Sequence, residues 1–304
     1  MTALDERPVA ADLAASTLEA YSGEPMVEVT GPGLYPAMPF EQYLARPELS
    51  SSELKDLLPP SCPYLFKWNK ATPQAPKPEF DFGSVAHKLI LGQGHEIEVL
   101  QFDSFRTAEA RDARDEAYAE GKVPVLARDY ANAKAMAWQV QNHPIARDLL
   151  SDGQPEVSAF WEDPRTKVGL RCRFDWLREV RSSRQIFIDY KTIAGSLDTD
   201  SVERAIYNFG YHQRMSHYRD GGIVLGLGDE DSVIVLIFQM KTAPYLVRVV
   251  QFTPEMIRLG RARNRRALDT YLECTASGYW PGYDDVTHVE LPGWAEAKDQ
   301  LEYL

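Results

Sequence analysis

Cysteine is scarce in this 304-residue sequence: Cys62, Cys172 and Cys274 stand singly, far apart. So spaced, they supply neither a disulfide framework nor the four thiolates of an iron-sulfur cluster, and they fit a reduced, cytoplasmic protein. Long apolar runs are also lacking, and with none near the roughly 20 residues of a membrane span, no membrane association is expected. Met1-Thr-Ala-Leu-Asp-Glu-Arg-Pro8 has no basic head followed by an apolar stretch, so no secretory signal is expected. There is no phosphate-cradling P-loop, no Gly-x-Ser-x-Gly elbow and no His-Glu-x-x-His zinc motif. The glycine-rich Gly221-Gly-Ile-Val-Leu-Gly226-Leu-Gly228 follows an expected helix and precedes an expected strand, the reverse of the order that binds dinucleotides.

Positive charge is short as well. The net charge of −12 argues against a nucleic-acid partner until its distribution is considered. Residues 1–30 hold six acids and one arginine, and residues 279–304 hold six acids and one lysine, so the two ends carry −10 between them. Between Arg165 and Lys191, eight basic residues face three acids, a local +5. A second basic run, Arg258-Leu-Gly-Arg261-Ala-Arg263-Asn-Arg265-Arg266, lies on an expected helix with Arg258, Arg261 and Arg265 on one side. That side is a candidate phosphate-tracking surface.

A composition of 44% hydrophobic residues in a chain of this length supports one sizeable core. Residues 1–30, rich in alanine and acids, read as a flexible segment. One domain is expected over 31–283, divided into a helical N-terminal region (31–150) and a core (151–283), with an acidic tail at 284–304. Within the first region Ser50-x-x-Glu53 has the form of a capping box, Pro63–Trp68 reads as a short buried helix, and residues 71–78 read as a stiff proline-rich connector. Two charged helices follow, at about 107–120 and 127–142. The core then reads as three strands between Glu156 and Lys191, a helix over 201–220, strands at 232–238 and 245–252, and a helix opened by Pro254. The strand at 232–238 is apolar on both faces and so is expected in mid-sheet. This order gives an α/β fold with a central mixed β-sheet flanked by helices.

The chemistry gathers in two of these strands. In Gly169-Leu-Arg-Cys-Arg-Phe-Asp175-Trp, alternation puts Leu170, Cys172, Phe174 and Trp176 on one face and Arg171, Arg173 and Asp175 on the other. In Ile188-Asp189-Tyr190-Lys191-Thr192, Asp189 and Lys191 share a face. Joined by the polar turn Arg178–Arg184, the strands can bring Asp175 and Asp189 together in antiparallel register with Lys191 beside them. Carboxylates that close repel unless a cation neutralises them, and hard oxygen ligands suit Mg²⁺ or Mn²⁺. Metal-assisted phosphodiester hydrolysis is the matching reaction, with Lys191 orienting or deprotonating water. By spacing alone, a solvated surface hairpin is the alternative.

The series Gly83-Ser-Val-Ala-His87, Glu156, Asp175, Asp189-Tyr-Lys191 and Tyr211-His212-x-x-x-x-x-Tyr218 resembles the PD-(D/E)XK nuclease superfamily. More closely, it looks like the RecE-like (exodeoxyribonuclease VIII-like) phage and prophage exonucleases, relatives of the RecB nuclease domain. Tyr35-Pro-Ala-Met-Pro-Phe-Glu-Gln-Tyr43 and Leu49-Ser-Ser-Ser-Glu-Leu-Lys55 are similar to the opening segment of RecE-like proteins. The resemblance implies a restriction-endonuclease-like core behind an N-terminal helical region. It implies Asp175, Asp189 and Lys191 as catalytic residues, and His87, Asp175, Asp189 and the Tyr190 carbonyl as metal ligands, with Glu156 as an optional further one. A histidine in the apolar run around His87 is otherwise a core residue. Relatives carry Tyr-His-x-Gln-x-x-x-Tyr, whereas here Arg214 fills the glutamine position and Gln213 stands one place early. Tyr207, Tyr211, Arg214 and Tyr218 are expected on one helix face, Tyr207 as packing and Arg214 as a guanidinium fork for phosphate. Arg171, Arg173, Gln213, Arg214 and Tyr218 are the expected DNA contacts. The implied activity is Mg²⁺-dependent degradation of duplex DNA from its ends, leaving single-stranded DNA for an annealing protein in recombination, carried out by a homo-oligomer. A structure-specific endonuclease, or a non-catalytic DNA-end or protein-binding module, are the other readings.

Overall fold

The computed structural model describes residues 26–72, 81–179, 184–284, 286 and 288–304. Residues 1–25 of the segment read as flexible, most of the proline-rich connector and the middle of the Arg178–Arg184 turn lie outside the described residues. The end of the segment read as flexible is fixed, Val27 bonding to Gln42 and Val27 and Val29 packing on the cluster of Met38, Tyr43 and Phe160.

A six-stranded mixed sheet organises the domain. Its order is β1 (Gly33–Tyr35), β4 (Gly153–Glu162), β5 (Gly169–Arg178), β6 (Ile186–Ile193), β7 (Val233–Met240) and β8 (Val247–Gln251), with only β6 and β7 parallel. The strand at 233–240 is interior, as its apolar sequence requires. Ile234, Leu236 and Phe238 enter the larger core, while Val235 and Ile237 enter a second cluster.

Between β1 and β4 the chain is largely helical: α1 (Phe40–Leu44), α2 (Ser51–Asp56), α3 (Pro63–Ala71), α4 (Asp81–Leu91), α5 (Ala108–Ala119), α6 (Ala127–Asn142) and α7 (Pro144–Leu149). Helix α2 begins with the expected capping box, since the Ser50 side chain accepts from Glu53 N and the Glu53 side chain accepts from Ser50 N. Helices α6 and α7 supply Val140, Ala146 and Leu149 to the second cluster against Ile188 and Tyr190. On the other face of the sheet, Leu54, Met215, Tyr218, Ala267 and Leu268 join Phe174 and Phe187 in the larger core. They come from α2, α9 (Tyr211–Val224) and α10 (Pro254–Ser277).

Several elements depart from expectation. The helix expected over 201–220 is two, α8 (Thr199–Phe209) and α9, because Gly210 turns into the left-handed region (φ 69°) and ends the first. Tyr207 therefore lies on a different helix from Tyr211, Arg214 and Tyr218, and at 70% exposure it is a surface residue, not packing. The glycine-rich word has a packing role: a Cβ on Gly221 would lie 2.6 Å from the Trp161 ring, and one on Gly222 would lie 2.4 Å from Phe187. Only glycine lets α9 sit so close to the sheet. Strand β1 and the parallel pair β2 (Ile97–Leu100) and β3 (Val123–Leu126) were not expected, because three or four residues show no usable periodicity. Nor was α11 (Gly293–Tyr303), which buries none of its residues.

Candidate active site

The site forms where the sheet's ladder opens on both sides of one residue. Strands β5 and β6 pair at Leu177/Phe187 and Trp176/Ile188, and the same register would next set Asp175 opposite Asp189, where no pair forms. On the other side, β4 and β5 pair at Pro155/Trp176 and again at Val157/Phe174 in unchanged register, skipping Glu156 and Asp175. Glu156, Asp175 and Asp189 therefore stand in line across three neighbouring strands. Alternation changes phase at this line. Leu170, Cys172 and Phe174 enter the larger core as expected, but Trp176 packs on the opposite face against the cluster containing Ile188. The expectation that Trp176 shares their face is thus corrected. Glu156 carries much of the distortion, with φ 55° in the left-handed region that non-glycine residues rarely adopt.

The opening leaves main-chain groups for side chains to use. Asp175 Oδ2 accepts from Tyr190 N (3.2 Å) and from Lys191 Nζ (3.2 Å), and lies 3.5 Å from His87 Nε2. The Lys191 ammonium also donates to the Tyr190 carbonyl (3.1 Å) and lies 2.5 Å from Asp189 Oδ2. Asp189 is only 1% exposed, and apart from the Lys191 ion pair its carboxylate oxygens have no hydrogen-bond partner among the described residues. His87 bridges onward through Nδ1, 3.3 Å from Glu156 Oε1. Behind the site, Tyr190 Oη donates to Gln239 Oε1 (2.6 Å), and Gln239 Nε2 donates to the Met136 and Tyr245 carbonyls. Gln239 went unnoticed in the sequence; its signal is an amide at the end of an otherwise apolar strand.

Electrostatics separate the two aspartates. Burial alone would raise the Asp175 carboxyl, but Lys191 and His87 outweigh it and hold it well below the usual carboxylate range. Asp189 is pushed the other way, by burial first and by the Asp175 charge second. Lys191 would be lowered by burial, yet the two carboxylates raise it, so its ammonium stays charged. His87 behaves likewise, with burial opposed successfully by Asp175 and Glu156.

A cation fits this arrangement. The ammonium occupies oxygens of Asp175, Asp189 and the Tyr190 carbonyl, the same oxygen set that the resemblance assigns to a metal, and Asp189 keeps Oδ1 buried without a hydrogen bond among the described residues. Among the described residues, no group of three or more His, Cys, Asp or Glu side chains is already arranged as a metal cage. The fit therefore rests on carboxylate and carbonyl oxygens now shared with a lysine.

The expected DNA contacts divide. Arg171 is buried, its guanidinium donating to the Tyr43, Leu44 and Arg46 carbonyls and to Glu53, and is thereby consumed in joining β5 to the end of α1. Arg173 donates to Glu156 Oε2 (2.5 Å), the Met38 carbonyl and Ser158 Oγ. Gln213 is fully buried and accepts from Arg263, and Tyr218 packs edge-on to Phe174. These four sit in the framework, where a duplex has no access to Arg171, Gln213 or Tyr218. Arg214 differs: its guanidinium makes one long hydrogen bond to Ser52 Oγ (3.4 Å), lies over the Tyr211 ring, and feels the charges of Asp189 and Asp175. The basic face of α10 is spent internally, with Arg258 on Glu255, Arg261 on Asp220 and Glu230, and Arg265 on Asp163.

Residues 50–290 match the family described as "PDDEXK-like domain of unknown function (DUF3799)". Among solved structures, a candidate exonuclease from Eubacterium rectale aligns over 87% of this chain and 96% of its own, with a TM-score of 0.57 at 12% identity. A phage-related exonuclease from Haemophilus somnus 129PT aligns over 76% of this chain and 97% of its own at 13% identity, but with a TM-score of 0.32. At such identity the first likeness bears on the fold alone, and the second carries no argument. No curated protein matches.

Proposed function

The chain belongs to the PDDEXK-like family that its residues 50–290 match, and on that premise we propose that it is a Mg²⁺-dependent deoxyribonuclease, with Mn²⁺ as a substitute, that degrades duplex DNA from its ends in the RecE-like manner. Members of this nuclease class usually act with divalent metals. The observation that carries the reading is the opened ladder at Asp175, where two carboxylates, a main-chain carbonyl and a charged lysine converge while both oxygens of buried Asp189 lack hydrogen bonds. A buried carboxylate served by a single ammonium, with one oxygen left over, is incompletely satisfied, and a divalent cation would complete it.

Asp175, Asp189 and the Tyr190 carbonyl would hold the ion, with His87 and Glu156 beside them. Bound there, Mg²⁺ supplies an activated water and screens charge on the phosphate. Lys191, beside both carboxylates, would orient or deprotonate the water and stabilise the developing negative charge. Arg214, which among the described residues makes one long hydrogen bond, takes a phosphate oxygen of the strand. The single-stranded product is what a strand-annealing protein takes up, and such a partner and a homo-oligomeric state belong to the same proposal.

The test incubates purified protein with linear and with covalently closed circular duplex, with and without Mg²⁺. Loss of the linear form alone, and only with metal, is the expected result. Cutting of the circle makes the protein an endonuclease, and survival of both forms makes it a binding module.

A further inference from the structure

Phe40 opens α1 and is 44% exposed, yet it is tied to the site by its neighbours. The Arg173 guanidinium lies 5.7 Å from its ring centre, and the same guanidinium donates to Glu156 in the carboxylate line. Arg173 also donates to the Met38 carbonyl, two residues before Phe40 (2.8 Å), which fixes the start of α1 against β5. Tyr43 lies nearly parallel to the ring, with centroids 6.4 Å apart and planes at 19°, a separation that sets it beside the ring, offset from its face. Glu41, the next residue, lies 3.5 Å from His95 in the loop after α4, the helix that carries His87. The ring is therefore held by rigid partners, one arginine away from Glu156, with much of its surface open to solvent. The next apolar residue one helical turn on, Leu44, is also exposed.

An isolated exposed apolar residue is ordinary. One with an arginine over one face and a tyrosine alongside, that same arginine paired to Glu156 in the carboxylate line, is not. Resting on the nuclease reading, we propose that Phe40 is a stacking platform for the terminal nucleobase of the DNA end, setting the nucleotide whose phosphate the site receives. Aromatic stacking suits this task because every base offers a π-face, so it holds a strand without selecting its sequence. Arg173, expected at the DNA, instead serves as the bracket for this ring.

The test uses the full chain with a blunt duplex bearing 2-aminopurine at one end, and with the same duplex ending in an abasic residue. Binding is read in Ca²⁺ and turnover in Mg²⁺. Wild type should quench the terminal 2-aminopurine and bind the abasic end about 5- to 100-fold more weakly, the range such a stack is worth. Phe40→Ala should lose the quench and bind both ends alike, as should Phe40→Leu, which keeps bulk without a π-face. Phe40→Tyr should behave as wild type. Equal binding of both ends by wild type, persistent quench in Phe40→Ala, wild-type behaviour in Phe40→Leu, or no duplex binding at all would each overturn the platform. Turnover keeps the two ideas apart. Equal hydrolysis of both duplexes without quench removes the platform and leaves the nuclease, whereas quench and discrimination without hydrolysis do the opposite.

Discussion

Asp163 and Asp189 are both buried carboxylates, at 4% and 1% exposure, and the protein treats them in opposite ways. Asp163 accepts from the Thr166 amide and hydroxyl and from both terminal nitrogens of Arg265. Although burial works against it, these donors hold its carboxyl well below the usual range. Asp189 has an ammonium nearby but no hydrogen bond, and its carboxyl is raised. A carboxylate with its acceptors filled is a finished structural part. One left unfilled in the interior is open to a further cation. The same contrast divides the arginines: Arg258, Arg261 and Arg265 are paired with acidic neighbours, while among the described residues Arg214 makes one long hydrogen bond, to Ser52.

The sharpest way to break this contrast is to remove the charge at each kind of carboxylate. Asp189→Asn or Asp175→Asn should lower Mg²⁺-dependent hydrolysis by about 1,000-fold or more while the protein remains folded. Asp163→Ala should leave turnover per folded molecule within about 2-fold and cost about 2 kcal/mol in urea unfolding, the partial exposure of Arg265 moderating the loss. Loss of activity in Asp163→Ala, or its retention in Asp189→Asn, would reverse the assignment.

Next in size is the division between turnover and binding. Lys191→Ala should reduce turnover by about 100- to 1,000-fold and leave duplex affinity in Ca²⁺ within about 2-fold. Arg214→Ala should weaken affinity and flatten its salt dependence by about one phosphate contact. Arg258→Ala should alter neither. A salt slope that falls in Arg258→Ala and holds in Arg214→Ala would move the DNA path to α10.

A smaller effect is expected on stability against pH. A carboxyl raised in the folded state contributes stability below its unfolded value, near pH 4, and loses it as pH rises toward about 7. In metal-free buffer, the melting temperature of Asp189→Asn relative to wild type should therefore climb by a few degrees between pH 4 and pH 8. A flat difference would mean that Asp189 is adequately satisfied without a metal.

Much of this contrast was legible in sequence because it rests on alternation and spacing. The antiparallel alignment that brings Asp175 to Asp189, the place of Lys191, the interior strand at 233–240 and the helix opened by Pro254 all follow from period-2 patterns and local signals. Less legible was anything that depends on where long side chains turn. Arg171 reads as a surface cation on a polar strand face, but the carbonyls at the end of α1, some 125 residues away in sequence, claim it. The phase change at Glu156 and Asp175 could not be read either, since it comes from a backbone distortion shared by two strands with no residue inserted. Gly210 gave a signal that the even polarity around it masked.

The most direct measurement is metal binding by the full chain without DNA, by titration calorimetry with Mn²⁺ and Mg²⁺ on wild type, Asp175→Asn and Asp189→Asn. Heat of binding and a raised melting temperature are expected in wild type, with both lost or much weakened in either variant. Equal binding in all three proteins would contradict the assignment of Asp175 and Asp189 as the cation site.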